Sequence, residues 1–571
     1  MKALDNYLET LTTFKAVFLI IILGFIVFGN SLFNGFIGDD FDQIVNNPLT
    51  RSLANIALFF KGSTFYAGGE LGGIYYKPLL STLYTFLYTI SGGQAFIFHL
   101  VQVLLHIANA VLVLFFFKFF FSKITSLLLA LVFLIHPINA ETVNYIANLQ
   151  DVLFFFFGML SLFIIHNNQT QKNIVLAYFL LILSMLSKET GILFILITLL
   201  FVALHQKSTL YKHLAYSSVV VVLYTCLRFL VAGIYFGHEL SAPIAKLSLA
   251  DRISNIPAII LYYLKTFLFP KHLVFAQNWF FITKDFFNFY LPLLMVSLLF
   301  ILLLLLHFYL FKYNRKKTLT LLFFSIWFLL GISLHIQIFP LDMTVADRWF
   351  YFPMIGLLGI IAISFSCIKM SKRKTYFLTF PLLGILLVTF SVKTITRNTD
   401  WKNNVTLYAH DISQQPDNFI LENSLGNEYI MQGDYKKALP HIKKSIQIYP
   451  NWTLNWNNLG VIYANLGEID KAKRALKTAI NHGNLPLAYE NLVSLLMTEI
   501  DQNQTKIFLE SSLKKLPNDD KLWTRLAIVD ARLGKHGEAI FAAQKAYAIN
   551  PNQQTTYILY QIMNNLPIEL R

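Results

Sequence analysis

Long apolar runs fill this 571-residue chain up to about Val392 and then stop. A helix of about 20 mainly apolar residues spans a bilayer, so runs of this kind indicate transmembrane helices. From Arg397 onward the sequence is polar with a helical period, and none of its apolar runs is long enough to cross a membrane. We therefore predict an all-α protein with a polytopic membrane domain at 1–396 and a second domain at 397–571.

The composition agrees with this division. The chain is 56% hydrophobic and only 13% charged, which is too apolar for a soluble protein. Its net charge of +15 comes from lysines and arginines in short clusters between the apolar runs, so the charge indicates cytoplasmic loops rather than a nucleic-acid partner. The two cysteines, Cys226 and Cys367, both lie inside apolar runs and offer neither a disulfide framework nor a cysteine-ligated metal site.

The second domain contains repeats. Leu425, Gly426, Tyr429, Gly433 and Ala438 recur 34 residues later, and a further copy carries the same spacing around 523–551. This is the spacing of tetratricopeptide repeats, in which paired helices stack side by side. The copy at about 486–519 is degenerate. We expect a tetratricopeptide (TPR) α-solenoid.

Placing the basic clusters inside sets the topology of the membrane domain. It requires an extracytoplasmic TPR domain, a first external loop at 31–76, and interfacial or re-entrant segments at 75–91 and 256–269. About eleven spans are predicted, near 14–30, 94–117, 124–137, 143–165, 174–187, 191–205, 213–232, 289–311, 318–336, 351–368 and 375–392.

This topology gathers the unusual polar residues of the membrane domain on its external side. Each could be a helix-end or turn residue when taken alone, but their convergence on one face indicates a site. They are Asp39, Asp40, Lys77, His136, Asn139, Glu141, Asp151, Lys188, Glu189, Asp347 and Arg348.

Transfer from a lipid-carried group suits these residue types. A polyprenyl phosphate leaves well when cations stabilise the charge on its phosphate, and Arg348, Lys77 and Lys188 can supply them. An acceptor hydroxyl needs a base, which a carboxylate of the first external loop provides. Adjacent side chains in an extended stretch point apart, so we expect one of Asp39 and Asp40 to be the base and the other a positioning group.

Several motifs resemble those of the transmembrane-and-TPR O-mannosyltransferases, and the resemblance covers nearly the whole chain. The family belongs to the C-type glycosyltransferase (GT-C) superfamily and has the same domain order. The motifs are Gly38-Asp39-Asp40, Tyr76-Lys77-Pro78-Leu79, His99 with His106 and Asn109, His136 to Val143, Asp151, Ser187 to Gly191, Val345 to Pro353, and Arg397-Asn398 with Trp401.

The resemblance implies a donor of the polyprenyl-phosphate sugar type, mannose in eukaryotic members, and no required metal or other cofactor, with a divalent metal left open. It places Asp39 at the proposed catalytic base, Asp40 at its acidic neighbour and Arg348 at the donor phosphate. Asp347 stands where animal members usually carry Glu, which suggests a distant bacterial branch and an inner-membrane location. The sugar, the acceptor, retained activity and the oligomeric state stay open.

Two other functions compete with the glycosyltransferase hypothesis. The repeats by themselves favour an interaction or assembly protein without catalytic activity, although an anchor needs only one span. A transporter would carry ionisable residues near the bilayer midplane, whereas here they lie at the ends of the spans. We expect the partners to be a polyprenyl-phosphate sugar, membrane lipids and a protein or peptide acceptor held by the repeats, with its Ser or Thr hydroxyl as the attacking group.

Overall fold

The computed structural model describes residues 12–67, 70–167, 170–235, 242–368, 379–498 and 501–568. It divides into two compact units, 1–414 and 415–571. Residues 397–414 thus belong to the first unit, although the sequence placed a boundary at 396/397. The reason is Asp411, which is buried and accepts two hydrogen bonds from the Arg397 guanidinium, at 2.7 and 3.1 Å, and one from the Phe275 amide at 2.7 Å.

The regular structure of the first unit's described part is helical, apart from one small hairpin and an isolated bridge between Gln277 and Val345. Its α-helices, numbered α1 to α16 in chain order, are Thr13–Phe28, Ile56–Phe59, Pro78–Ser91, Ala95–Phe117, Lys123–Ile135, Ala140–Asn144, Leu149–Asn167, Gln171–Ser187, Ile192–His205, Leu210–Thr225, Leu249–Leu268, Leu291–Tyr313, Arg315–Ser333, Pro353–Ser366, Phe380–Asp400 and Asn404–Gln414.

Hydroxyl side chains fix the start of several of these helices. The side-chain oxygens of Thr12, Ser122, Thr170 and Ser248 each accept a hydrogen bond from the backbone N–H three residues later. Such caps satisfy an amide that the first helical turn would otherwise leave unpaired.

Seven helical segments of the described chain are long and apolar enough to cross a membrane. A bent pair, Lys123–Ile135 with Pro137–Asn144, makes an eighth if it is counted as one span. Three shorter apolar helices, Gln171–Ser187, Glu189–His205 and Pro353–Ser366, occupy the other predicted positions. The multi-span character is confirmed, and the count of eleven stays a prediction.

The two segments predicted to lie at the interface are helical. Helix α3 covers most of 75–91, and α11 covers 256–268 and starts earlier, at Leu249. Neither meets the length and hydropathy criterion for a span. The basic residues Lys2, Lys369, Lys372, Arg373 and Lys374, on which part of the predicted topology rests, lie outside the described residues.

The first loop is folded rather than open. It contains short 3-10 and π-helical turns, the helix α2, and a two-stranded antiparallel hairpin of Phe65–Ala67 (β1) and Glu70–Gly72 (β2). The hairpin is a small departure from an all-α fold. Beneath the loop, the main apolar core joins α1, α4, α5 and α7 to α13 and α14, with the buried Trp327 and Phe116 at its aromatic centre.

The second unit is an α-solenoid whose helix pairs follow the predicted repeats, including the degenerate copy. Trp456 and Trp523 each donate their indole N–H to the carbonyl of the proline six residues earlier, at 2.7 and 2.8 Å, which fixes the same turn in two repeats. Its helices, α17 to α25, are Phe419–Met431, Tyr435–Ile448, Thr453–Asn465, Ile469–His482, Pro486–Leu496, Gln502–Lys515, Asp520–Arg532, His536–Ile549 and Gln553–Met563.

The repeat glycines have two distinct functions. Gly426 allows close helix packing, because a Cβ atom there would lie 2.6 Å from the Ile442 side chain. Gly433, Gly467 and Gly534 instead have positive φ angles of 74°, 79° and 72° in the turn between paired helices. The second group therefore supplies the left-handed turn residue that ends the first helix of each pair.

Candidate active site

The first-loop motif forms a tight turn rather than the extended stretch that the sequence predicted. Gly38 has a φ of +51°, and a Cβ atom there would lie 3.0 Å from the Tyr145 hydroxyl. Its amide donates to Asn404 Oδ1 at 3.0 Å. Only glycine fits this conformation and this contact without strain, and the turn that results aims the next two carboxylates in different directions.

Asp40 points inward and is almost fully buried. Its Oδ2 accepts the amide of Ile37 at 2.8 Å, and its Oδ1 accepts the amide of Ala147 at 2.7 Å. Burial raises the pKa of this carboxyl well above its usual range, against the effect of both hydrogen bonds. The side chain therefore fastens the first loop to the 3-10 turn that precedes α7.

Asp39 points the other way and is exposed to solvent. Its amide donates to the Tyr145 hydroxyl at 2.8 Å, and that hydroxyl also hydrogen-bonds the Asp39 carboxylate. The surrounding protein raises the pKa of this carboxyl, while the charges of Arg348 and Lys77 lower it. The carboxylate is therefore surrounded by protein and charge, yet part of its surface stays accessible to solvent.

Lys77 lies at the start of α3, is largely buried, and its charge acts on Asp39. Its ammonium sits 4.2 Å from the centre of the Tyr75 ring, an attractive cation–π contact. Burial and the charge of Lys188 lower the pKa of Lys77 to about 8, against the opposing effect of Glu189, Asp151 and Asp39. In the described chain, no hydrogen bond or ion pair engages this ammonium, so a bound anion would find it available.

Arg348 is held by Glu141. Its Nη1 forms an ion pair with Glu141 Oε1, and its amide donates to Glu141 Oε2 at 3.2 Å. Burial lowers the pKa of Arg348, but Glu141 and Asp342 outweigh it and keep the guanidinium charged. The second nitrogen, Nη2, contacts Met343 Sδ at 3.9 Å, a weak partner that an anion could displace.

Asp347 faces away from Arg348 despite being its neighbour in the chain. Its Oδ1 accepts a hydrogen bond from the Tyr262 hydroxyl at 2.6 Å, and the residue is buried. Burial and the nearby Glu141 charge raise the pKa of Asp347. This carboxyl therefore anchors the 3-10 turn Asp347–Phe350 to α11.

Lys188 and Glu189 enter the site from the break between α8 and α9. Lys188 Nζ pairs with Asp151 Oδ1 at 2.6 Å, and Glu189 pairs with Arg228 and accepts the Tyr76 amide at 3.3 Å. A Cβ atom at Gly191 would lie 2.6 Å from the Ser184 carbonyl carbon, so this break needs a glycine for the chain to pass.

The Tyr75 hydroxyl marks where these groups converge. Burial raises its pKa, and the charges of Asp342, Arg348, Asp39 and Glu189 all act on it. The last three are the residues whose meeting the sequence predicted from separate loops. Among the predicted residues, Asp39, Lys77, Glu141, Asp151, Lys188, Glu189 and Arg348 thus form one connected cluster, which we call the Asp39 cluster.

His136 and Asn139 have structural partners instead of facing this cluster. His136 accepts the Ile138 amide at 3.1 Å and bonds the Phe267 carbonyl at 2.8 Å, so both ring nitrogens are occupied. Asn139 donates to the Phe133 carbonyl at 2.7 Å. Both hold the bend between α5 and α6, which differs from their predicted support of the site.

Other motif residues also act structurally. Asn398 donates to Asn30 Oδ1 at 2.9 Å and accepts from Asn144 Nδ2 at 2.7 Å, while Asn34 donates to the Asn398 carbonyl at 3.0 Å. These amides tie the end of α15 to the first loop. The Tyr351 hydroxyl joins His106 and Asn109 in a buried group.

Four residues of the site were missed by the sequence reasoning: Tyr75, Tyr145, Arg228 and Asp342. Tyr75 and Tyr145 lie next to two of the recognised motifs, and this proximity could have identified them as candidates for the site. Arg228 lies inside an apolar run, where a charge is rare and needs a partner. Asp342 lies in an exposed loop and carries no pattern that distinguishes it. No group of three potential metal-ligating side chains occurs in the described ranges, and metal dependence stays a prediction.

Comparison with known proteins supports the predicted resemblance. A family model described as dolichyl-phosphate-mannose-protein mannosyltransferase matches residues 77–231, and a tetratricopeptide repeat model matches 455–481. The first range contains Lys77, Glu141, Asp151, Lys188 and Glu189 but neither Asp39 nor Arg348.

Three relatives named protein O-mannosyl-transferases extend the match over most of the chain. TMTC3 of Mus musculus is 23% identical, covering 84% of this chain and 58% of the relative. TMTC3 of Homo sapiens is 22% identical, covering 92% and 67%. F38B6.6 of Caenorhabditis elegans is 24% identical, covering 77% and 63%. The chain thus spans 58% to 67% of the length of these relatives, and the predicted resemblance to transmembrane-and-TPR O-mannosyltransferases is confirmed.

Solved structures match more weakly. "YrrB: a TPR protein with an unusual peptide-binding site" gives a TM-score of 0.24 at 14% identity, covering 28% of this chain and 82% of that chain. Yeast Tom70 gives a TM-score of 0.26 at 12% identity, covering 81% and 95%.

Proposed function

We propose that this chain is a membrane glycosyltransferase that moves a sugar of the mannose type from a polyprenyl phosphate to an acceptor hydroxyl. One observation carries the proposal: the solvent-accessible Asp39 carboxylate lies in the field of the Arg348 and Lys77 cations. A base beside fixed cations suits a reaction in which a hydroxyl loses a proton while a phosphate leaves.

In the proposed reaction, Asp39 takes the proton of the acceptor hydroxyl as its oxygen attacks the anomeric carbon of the sugar. The bond from that carbon to the phosphate oxygen breaks, and the phosphate departs with the electron pair. Lys77 and the Nη2 edge of Arg348 stabilise the charge that develops on the phosphate. Lys188, which is paired with Asp151, contributes at longer range.

Neighbouring groups hold the side chains of Asp39 and Arg348 in place. Glu141 fixes one side of the Arg348 guanidinium, Asp40 fixes the turn that carries Asp39, and Tyr145 holds Asp39 itself. Such preorganisation reduces the reorganisation that charge development would otherwise require. We further propose that the acceptor is a protein Ser or Thr presented by the TPR unit, and that the repeats and the site lie on the extracytoplasmic side, of the inner membrane if the chain is bacterial.

The test replaces Asp39 with Asn in the full chain. Purified protein in lipid is incubated with polyprenyl-phosphate mannose or glucose, and sugar is followed on co-purifying proteins. We expect Asp39→Asn to lose at least about 100-fold in transfer, the lower range for general-base catalysis. Asp42→Asn, an exposed carboxylate of the same loop, is the matched control and should keep activity. Full transfer by Asp39→Asn would refute the assigned role, and no transfer by wild type with either donor would refute the donor class.

A further inference from the structure

A second cavity lies apart from the Asp39 cluster, beside the C-terminal half of α15. It has a volume of about 570 Å³, which is within the range of small-molecule sites. Its walls come from α15, from the stretch after α11 at Lys271 and Leu273, and from α16 at His410 and Gln414. It shares no lining residue with the Asp39 cluster, so the proposed transfer reaction does not account for it.

One wall of this cavity, toward the middle of α15, is aliphatic and exposed on the surface of the protein. Val388 and Val392 lie one turn apart on α15 and are 64% and 58% exposed. Because α15 meets the criterion for a membrane span, these side chains face the hydrocarbon region when it is inserted. This wall therefore suits an acyl or prenyl chain.

The opposite wall, near the C-terminal end of α15, is cationic. Lys271, Lys393 and Arg397 line it, and Asp400 is the one carboxylate among the lining residues. Arg397 is already occupied by Asp411 and Asp400, so it is rigid and its charge is largely balanced. Lys393 donates one hydrogen bond to the Lys271 carbonyl at 3.0 Å, which holds the two lysines together and leaves further ammonium donors.

We propose that this cavity binds the phosphate of an anionic membrane lipid between Lys271 and Lys393, with the lipid chain along Val388 and Val392. Paired ammonium groups next to an apolar wall at the end of a span match the two halves of such a lipid. An anionic phospholipid and a polyprenyl phosphate share this chemistry. The inference goes beyond the proposed function and does not depend on it.

The test measures lipid retention by the full chain. Wild type is reconstituted into nanodiscs of phosphatidylcholine mixed with phosphatidylglycerol, or with undecaprenyl phosphate in a separate arm, and retained lipid is counted by native mass spectrometry. We expect Lys271→Gln/Lys393→Gln to weaken retention of the anionic lipid about 25-fold, from two lysine contacts of about fivefold each. The matched control is Lys265→Gln/Lys402→Gln, two exposed lysines outside the cavity with the same change in net charge.

Loss of anionic lipid by the cavity variant, with retention by the control, supports the proposed site. Selective loss of phosphatidylglycerol identifies a phospholipid site, and selective loss of undecaprenyl phosphate identifies the carrier lipid as occupant. Equal retention by wild type, the cavity variant and the control, or no preference over phosphatidylcholine, overturns the proposal. Equal thermal midpoints for all variants show that the fold is intact. Asp39→Asn should keep full retention, so a failure of the transfer reaction is distinguishable from a failure here.

Discussion

Asp39 and Asp40 show how much a single turn decides at the level of the residue. Both are aspartates, yet one binds two buried backbone amides and the other faces solvent beside two cations. Gly38 causes the difference, since its positive φ turns the chain between α1 and the first loop helices. The chemistry available to each carboxylate follows from its surroundings rather than from its residue type.

Tyr145 should tune the basicity of Asp39. Its hydroxyl bonds the charged carboxylate, so Tyr145→Phe should raise the pKa of Asp39 further above its usual value. A base works only when deprotonated, so the acid limb of the pH profile of kcat/KM should move to higher pH. The measurement is that profile for wild type and variant. Tyr66→Phe, in the neighbouring hairpin, is the control, and an unmoved limb in Tyr145→Phe would contradict the assignment.

Lys77 should give the reaction an alkaline limit. Its pKa is lowered to about 8, so its positive charge, and with it donor binding, should be lost as the pH rises through 8. The KM for the polyprenyl-phosphate sugar should therefore rise above pH 8. Lys77→Arg should remove this rise because an arginine stays charged. Lys61→Arg serves as the comparison, and an alkaline rise that persists in Lys77→Arg would assign it to another group.

At the level of elements, the site is built from breaks between helices. The first loop, the short helix α6 that follows the bend after α5, the break between α8 and α9, and the turn before α14 each contribute one or two polar side chains. Helices supply rigid apolar walls, whereas their interruptions bring polar groups and free backbone amides to a single place. This explains why short motifs far apart in the chain carry the resemblance.

The break between α8 and α9 should depend on glycine at position 191. A methyl group there would lie 2.6 Å from backbone of α8, so Gly191→Ala must displace the turn that presents Lys188 and Glu189. We expect a loss of about 1–3 kcal/mol in stability, as for overpacking, together with lost transfer. Thermal unfolding in lipid measures the first effect. Gly29→Ala, where the added methyl meets no atom within 4 Å, should leave the midpoint unchanged, and equal midpoints for the two variants would show that the break tolerates a side chain.

At the level of the whole molecule, the side of the membrane on which the units lie is a prediction from the basic clusters. Asp342→Cys, in an exposed loop of the site, should react with an impermeant maleimide in intact cells. Lys436→Cys, in the TPR unit, should react in the same way. Lys316→Cys, in the first turn of α13, should react only after the membrane is opened. If the cysteine at position 316 were labelled in intact cells and the one at position 342 were not, the opposite membrane orientation would be correct.

The sequence by itself determined the helical class, the multi-span membrane character and the TPR repeats, and it named most residues that later form the Asp39 cluster. Hydrophobic run length, a 34-residue period and charged residues at span ends are local signals, and each has a direct physical cause. The motif residues Lys77, Glu141, Asp151, Lys188, Glu189 and Arg348 could therefore be named in advance.

Only the tertiary structure decided which of these residues face one another. It placed Asp40, Asp347, His136 and Asn139 in structural hydrogen bonds, and it added Tyr75, Tyr145, Arg228 and Asp342 to the site. A buried polar residue needs partners whether it is catalytic or structural, so its identity in the sequence is the same in both cases. The partners lie on other helices, and only packing brings them together.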